Sequence, residues 1–452
     1  MNMLLGLDYE LFFGTNTGTV QQCMLEPTRA LADALSNVNT DYSPRLTLFV
    51  DACFLVRLKQ LESQHPELGE QRRAIEAQLR DLSRKGHSIQ LHIHTHWLDC
   101  DYHNGQWQMD THRYRLHDIN PAEQITVLLE AVQLLSEISE QPVFAFRAGG
   151  WCLQPFDQIA DALHRAGIWL DSTVYPGGVC EDPVRWFDFR NAPNKSHWTF
   201  DQNPLEHDAY GRFVEVPISH QRISPAFFWR MAIMKKLAGK GSRAFGDGHA
   251  MVAHSAYYWD RLTKASTGPA SIDGIKGDLL ESAYQQQKTH NPDGFFNVMG
   301  HPKALTPRSI KCLTRFLEQH QEEVQLISFE ELSHLKPERA TRHSQNHDTC
   351  DRHNRLAEPR SRSRCRLQTR CSPQRLKPPS TTGSHWHRDR QSLRDLTIHI
   401  HRYTQNRAFS TSEDHTTQGR DIVKITAPPC HNVLLGRHAV IGWIKLKPAF
   451  SW

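Results

Sequence analysis

Four histidines fall within ten residues in Gly86-His87-Ser88-Ile89-Gln90-Leu91-His92-Ile93-His94-Thr95-His96-Trp97. His92, His94 and His96 alternate, so an extended segment would project all three from one face. His92 and His96 are also one helical turn apart, so either local geometry aims that pair at a single point. Neutral imidazoles that converge suit a borderline divalent cation such as zinc. Such a site usually takes a carboxylate as well, and Asp8-Tyr9-Glu10 supplies two acidic side chains at the end of an apolar run. Further polar residues follow other apolar runs: Asp51 after Leu48-Phe49-Val50, Arg147 after Phe144-Ala145-Phe146, Asp171 after Ile168-Trp169-Leu170, and His301 after Val298-Met299-Gly300.

The elements that would position these residues alternate. Met3–Phe13 and Arg45–Val50 read as buried strands, as do the histidine segment, Pro142–Phe146, Ile168–Val174, Phe213–Ile218, Phe295–Met299 and Val324–Phe329. Between them lie helix patterns at Pro27–Val38, Pro66–Lys85, Pro121–Glu140, Pro155–Ala166, 224–240 and Pro307–Gln321. Several of these open on proline, and Gly86 and Gly167 end two of them. Residues 179–212 show weak periodicity and read as a long loop over the site. This alternation predicts a parallel sheet wrapped by helices. So many strand-end polar groups favour a barrel, which gathers all such ends on one face, over an open sheet.

The 452 residues carry a formal net charge of +4, but two unlike segments average to that value. From His334 onward roughly 22 Lys and Arg face roughly 9 Asp and Glu, leaving residues 1–333 acidic. The acidic front gives no reason to expect nucleic acid as a partner. The basic segment 334–452, with Arg360-Ser361-Arg362-Ser363-Arg364-Cys365-Arg366, lacks periodicity. It is expected to be disordered, either a basic arm for anionic partners or sequence with no folding history. No apolar run approaches the ~18 residues of a membrane span. The start of the sequence lacks the pattern of an export signal, and the ten cysteines include no C-x-x-C pair. These point to reduced thiols and a cytoplasmic protein.

In their order, these residues resemble the motifs of the polysaccharide deacetylase family, also called the NodB-homology or carbohydrate esterase family 4 group. The matching residues are Asp8-Tyr9-Glu10, Gly86-His87-Ser88-Ile89 with His92 and His96, Phe146-Arg147-Ala148-Gly149-Gly150-Trp151, Asp171 and His301. They span about residues 3–332. The resemblance implies an irregular (β/α)7-type barrel and a divalent metal, expected to be zinc, held by Glu10, His92 and His96. It further implies catalytic roles for Asp8 as general base, Arg147 as the residue orienting it, and His301 as general acid supported by Asp171. The implied substrate is an N-acetylated sugar or glycan intermediate from which the acetyl group is hydrolysed. The chain departs from the family's pattern in having Glu rather than Asp as the second acid, and in having Ala-Gly-Gly after Arg147. No Trp follows Asp171, and His94 is an additional histidine that would neighbour the metal or contact substrate.

Two other readings compete. In another barrel metallohydrolase, an amidohydrolase or a phosphoesterase, His92 and His94 would be the strand-borne ligand pair. In a carbohydrate-binding relative without catalysis, the altered acidic pair would no longer hold metal. Trp97, Trp151, Trp198, Tyr257, Tyr258 and Trp259 are candidates to stack on sugar rings, with core packing as the competing role. Competing roles are a structural ion-pair partner for Arg147, a turn cap for Asp171 and a further site carboxylate for Asp51.

Overall fold

The computed structural model describes residues 1–338 apart from 183, 238 and 250–254; the side chains of 235–237, 240 and 255–258 also lie outside that description. The basic segment from residue 339 to 452 lies outside the described residues, as do the side chains of Tyr257 and Tyr258.

One curled sheet carries the molecule. Its strands are β1 (Asn2–Tyr9), β2 (Thr47–Asp51), β3 (Ser88–Ile93), β4 (Ala145–Ala148), β5 (Leu170–Asp171), β6 (Trp198–Phe200), β7 (Phe213–Glu215), β8 (Phe296–Gly300) and β9 (Gln325–Ile327). The order across the sheet is β6-β7-β5-β4-β3-β2-β1-β8, with β9 also paired to β1. Every pairing is parallel except that of β6 with β7. Every residue of β2 and β3 is buried, as is all of β1 beyond Asn2. Unbroken burial is what a parallel sheet covered on both faces requires, and it explains why these strands read as apolar runs.

The helices between the strands begin and end where their sequences direct. The helix Pro66–Arg84 has proline in its first turn, and the chain leaves it through Gly86 at φ 88°, a conformation costly for any residue with a Cβ. In Pro121–Ser139 the Asn120 side chain accepts the Glu123 backbone N–H at 3.0 Å. In Pro307–Gln319 the Thr306 hydroxyl accepts from the Ser309 N–H at 3.0 Å.

The structure differs from a (β/α)7 barrel in how the sheet ends. Among the described residues no strand pairing joins β8 to β7. Instead the Asn297 side chain reaches across, its Nδ2 donating to the carbonyls of Val216 and Pro217 at 3.0 and 3.2 Å. Nearby, Ala270 and Ile272 exchange backbone hydrogen bonds with Met299. Irregular segments thus bridge the arc where strands would close a barrel. Within 179–212, read from sequence as loop, Val179–Glu181 pairs with Trp186–Asp188 and Trp198–Phe200 joins the sheet edge. Three-residue strands are too short to leave a periodic signal. At the other boundary, the final turn Phe329–Leu335 runs across residues 333 and 334. Cys23, Cys53, Cys100, Cys152, Cys180 and Cys312 are free thiols. No helix among the described residues is long and apolar enough to cross a membrane.

The first histidine of the cluster has a structural task. His87 is buried, and its Nδ1 accepts the Leu46 backbone N–H at 3.2 Å, tying the entry of β2 to that of β3. Burial, followed by Lys85 and Arg45, pushes its imidazole down from 6.5 to about 4. Because the folded value lies below the unfolded one, its contribution is complete above pH 6.5 and is lost as pH falls toward 4. The expected loss is up to about 1.4 kcal/mol per pH unit in that window. Urea unfolding across pH should give a shallower slope for His87→Asn, whose amide oxygen still accepts from Leu46; an unchanged slope would contradict this account.

Candidate metal centre

Strand register lines up the polar residues at the C-terminal ends of the sheet. Asp51, His92 and Arg147 are direct neighbours on β2, β3 and β4, forming one rung. Leu7 of β1 pairs with Gly300 of β8, so the next residues, Asp8 and His301, emerge side by side. Glu10 follows one residue after β1 ends. All of these side chains except that of His301 are almost wholly buried.

Glu10, His92 and His94 each direct a ligand-type atom into one group, with all such atoms within 4.8 Å of one another. Glu10 Oε2 lies 3.1 Å from His92 Nε2 and 2.8 Å from His94 Nε2. His92 Nδ1–H donates to the Arg147 carbonyl at 2.8 Å, which leaves the Nε2 lone pair facing the carboxylate oxygen. Two lone-pair atoms face each other at that distance only when a cation, a proton or a metal, lies between them. The His92 imidazole is raised to about 9 against the opposing effect of burial, by the charges of Asp8, Glu10 and Asp51. A backbone carbonyl behind the distal nitrogen is also the usual device for orienting a metal-bound imidazole. The donor set, two imidazoles and one carboxylate, therefore fits a divalent ion of the zinc type.

The pairing differs from the sequence expectation of His92 with His96. β3 ends at Ile93, and Thr95–Asp99 forms a turn of 3-10 helix, so the alternation breaks after His94. His96 is carried aside, stacked on Tyr114 at 5.4 Å and an interplanar angle of 8°, with both ring nitrogens lacking a hydrogen-bond partner among the described residues. Burial holds its imidazole well below the usual range. His94, read from sequence as an extra residue, takes the place expected of His96. Burial brings His94 down to about 4 despite Glu10.

Asp8 and Glu10 each have a basic partner. Asp8 Oδ1 accepts from Arg147 Nη1 at 2.8 Å, and the guanidinium is fixed by the Gly6 and Ser172 carbonyls and lies 4.1 Å from the Phe49 ring centre. Glu10 Oε1 accepts from Lys303 Nζ at 2.8 Å. Burial opposes ionisation of Glu10, yet Lys303 and then the two imidazoles hold it well below the usual carboxylate range. His301 Nε2 sits 3.6 Å from Asp8 and 3.8 Å from Glu10, while its Nδ1 pairs with Asp273 at 2.9 Å. Burial opposes the charge on His301, but Asp273, then Asp8 and Glu10, raise its imidazole above the ordinary value.

The carboxylate bonded to His301 is thus that of Asp273, whereas the sequence reading assigned this support to Asp171. Asp171 accepts from the backbone N–H and hydroxyl of Thr173 at 3.0 and 2.8 Å, and it lies opposite Glu215 on β7. Asp273 escaped notice because its segment, Ala270-Ser271-Ile272, pairs with Met299 over too few residues to show a period. Lys303 was missed although it stands two residues after His301. Asp51 accepts the His94 backbone N–H at 3.3 Å, and burial pushes it up to about 8.

Among the aromatic candidates, Trp97 and Trp198 are core residues, and Trp151 packs on Tyr175 and Phe187. Trp259 is exposed.

Fold and site together define a mixed α/β chain whose curled, mostly parallel sheet carries a buried Glu–His–His group able to bind a metal. No protein-family profile matches the chain, and no curated protein is similar to it in sequence. Among solved structures it is similar to a "putative polysaccharide deacetylase" from Mycobacterium smegmatis, at 14% identity and TM-score 0.34 over 69% of this chain and 77% of that one. A GH57 branching enzyme from Thermococcus kodakaraensis matches at 10% identity and TM-score 0.39, over 73% of this chain and 70% of that one. Puue allantoinase matches at 12% identity and TM-score 0.35, over 73% and 88%. Likeness at this level bears on no activity.

Gly149 lies against the His94 ring. A Cβ there would come within 2.6 Å of His94 Cε1 and 2.5 Å of the Ile93 carbonyl. Gly149→Ala should therefore displace His94 and weaken Co²⁺ binding ~10–100-fold, the range seen when a ligand's support is disturbed. Titration calorimetry, with circular dichroism to confirm the fold, checks this; wild-type affinity would refute it.

Proposed function

We propose that this protein is a metal-dependent hydrolase that cleaves an amide bond, with an N-acetylated sugar or glycan intermediate as substrate. The convergence of Glu10, His92 and His94 on one point, with Asp8 and His301 at its edge, supports the metal-dependent hydrolase; the amide bond and the sugar rest on the sequence resemblance. Glu10, His92 and His94 would hold the metal, which, when bound, supplies an acidified water and a Lewis acid for the carbonyl oxygen.

The remaining work falls to the chain's own groups. Arg147 fixes one oxygen of Asp8, so the other, Oδ2, is the oxygen directed toward His301 and available to accept a proton from the attacking water. His301 carries a proton on Nε2 for the departing amine, and Asp273 behind Nδ1 sets its orientation and favours the protonated ring. Asp171 acts at one remove: its carboxylate holds the Thr173 hydroxyl, which accepts the Ala148 backbone N–H at 2.9 Å and so steadies the strand end beside Arg147. The sugar reading rests on the resemblance to polysaccharide deacetylases set out above, as does the expectation of zinc. Residues 1–333 would form the catalytic domain, and 334–452 an appended basic segment. A cytoplasmic site of action belongs to the same reading.

A second reading has an observation of its own. The His92–His94 pairing is the one expected of another barrel metallohydrolase, an amidohydrolase or a phosphoesterase. Metal analysis of the purified protein, followed by acetate release from a panel of N-acetyl sugars beside cyclic amide and phosphate ester substrates, separates the two. Acetate release supports the deacetylase, and turnover confined to the other substrates replaces it. On the active substrate, Asp8→Asn and His301→Ala should each lower kcat ~10²–10⁴-fold while retaining metal. Near-normal turnover in either variant contradicts its assignment.

A further inference from the structure

Lys303 is the feature of the centre that neither the motifs nor the proposed chemistry uses. It follows His301 by two residues, in the turn Pro302–Ala304, so a single short segment delivers both residues to the carboxylates. Its Nζ donates to Glu10 Oε1 at 2.8 Å and to the Leu11 carbonyl at 2.5 Å. The rings of Phe12 and Phe13 lie 4.9 and 4.8 Å from it, and the side chain is 9% exposed. Burying an ammonium among aromatic rings is costly unless a specific partner offsets it. Here that partner is the carboxylate whose other oxygen faces the two imidazoles.

We propose that Lys303 is a positioning residue that acts as a built-in counter-charge. By holding Glu10 Oε1 it leaves Oε2 as the single oxygen presented to a divalent cation, and its own charge weakens that cation's binding. The inference rests on the metal-site reading and goes beyond it by assigning the limit on affinity to one side chain. A carboxylate donating its full charge would quench the cation it binds. A carboxylate half-neutralised by an ammonium leaves more positive charge at the metal, at the expense of affinity. The ordering role and the charge role make opposite predictions for metal binding when the ammonium is replaced by a neutral side chain. If Lys303 only orders Glu10, its loss weakens binding. If its charge dominates, as Coulomb's law at a few ångströms favours, its loss tightens binding.

The test is Co²⁺ binding to the full-length protein at pH 8 by titration calorimetry, for wild type, Lys303→Met, Lys303→Gln and Lys303→Arg. Both neutral variants should bind ~10-fold tighter or more, and Lys303→Arg should stay near wild type. Gln keeps a hydrogen-bond donor toward Glu10, so it remains informative if the Met variant folds poorly. Unchanged or weaker binding in a folded neutral variant overturns the inference while leaving the metal site standing. Failure of the wild type itself to bind Co²⁺ overturns the metal reading, and this inference falls with it.

Discussion

Three ion pairs buried or half-buried at the mouth of this sheet hold its charged groups in place, and much of the arrangement follows from them. Asp8 has Arg147, Glu10 has Lys303, and His301 has Asp273. An uncompensated ionised group at such depth would cost several kcal/mol, comparable to the net stability of a domain. The pairs therefore constrain which strands end where. Arg147 can reach Asp8 only because β1 and β4 curl toward each other across β2 and β3, with the guanidinium resting on Phe49 of the strand between. Gly6 has no Cβ where one would meet the guanidinium at 2.6 Å. Packing and electrostatics at this point are the same constraint.

Within that frame the two imidazoles facing Glu10 Oε2 stand apart. This oxygen faces two ring nitrogens, His92 Nε2 and His94 Nε2, while the other nitrogen of the His92 ring, Nδ1, donates to a backbone carbonyl. The arrangement is set up for a cation at its centre. The orphaned ring nitrogens of His96 lie in an aromatic setting formed by Tyr114, Trp97 and Phe13, beside the centre and outside the ligand group.

Much of the architecture was legible in the chain. The parallel strands are continuous apolar runs because both of their faces are buried, and polar residues such as Asp51, His92 and Arg147 gather at or near their C-terminal ends, where the site lies. Helix starts at Pro66, Pro121 and Pro307 were written in local chemistry that survives folding. What stayed hidden were elements only three residues long, and contacts made across the arc between β7 and β8. Asn297, whose amide bridges that arc, looks in sequence like any polar residue in a strand.

The sequence alone determined that histidines and acids would collect at strand ends, since apolar runs, caps and residue spacing are local properties. It narrowed the ligand pair to His92 with a partner and left two partners open. Tertiary structure decided between them, because β3 stops at Ile93 and the following turn swings His96 against Tyr114 while His94 stays over Glu10. It also chose Asp273 over Asp171 for His301, and Lys303 for Glu10. These choices depend on which distant segments the curled sheet brings within hydrogen-bond reach, and a separation of 293 residues between Glu10 and Lys303 leaves no trace in spacing.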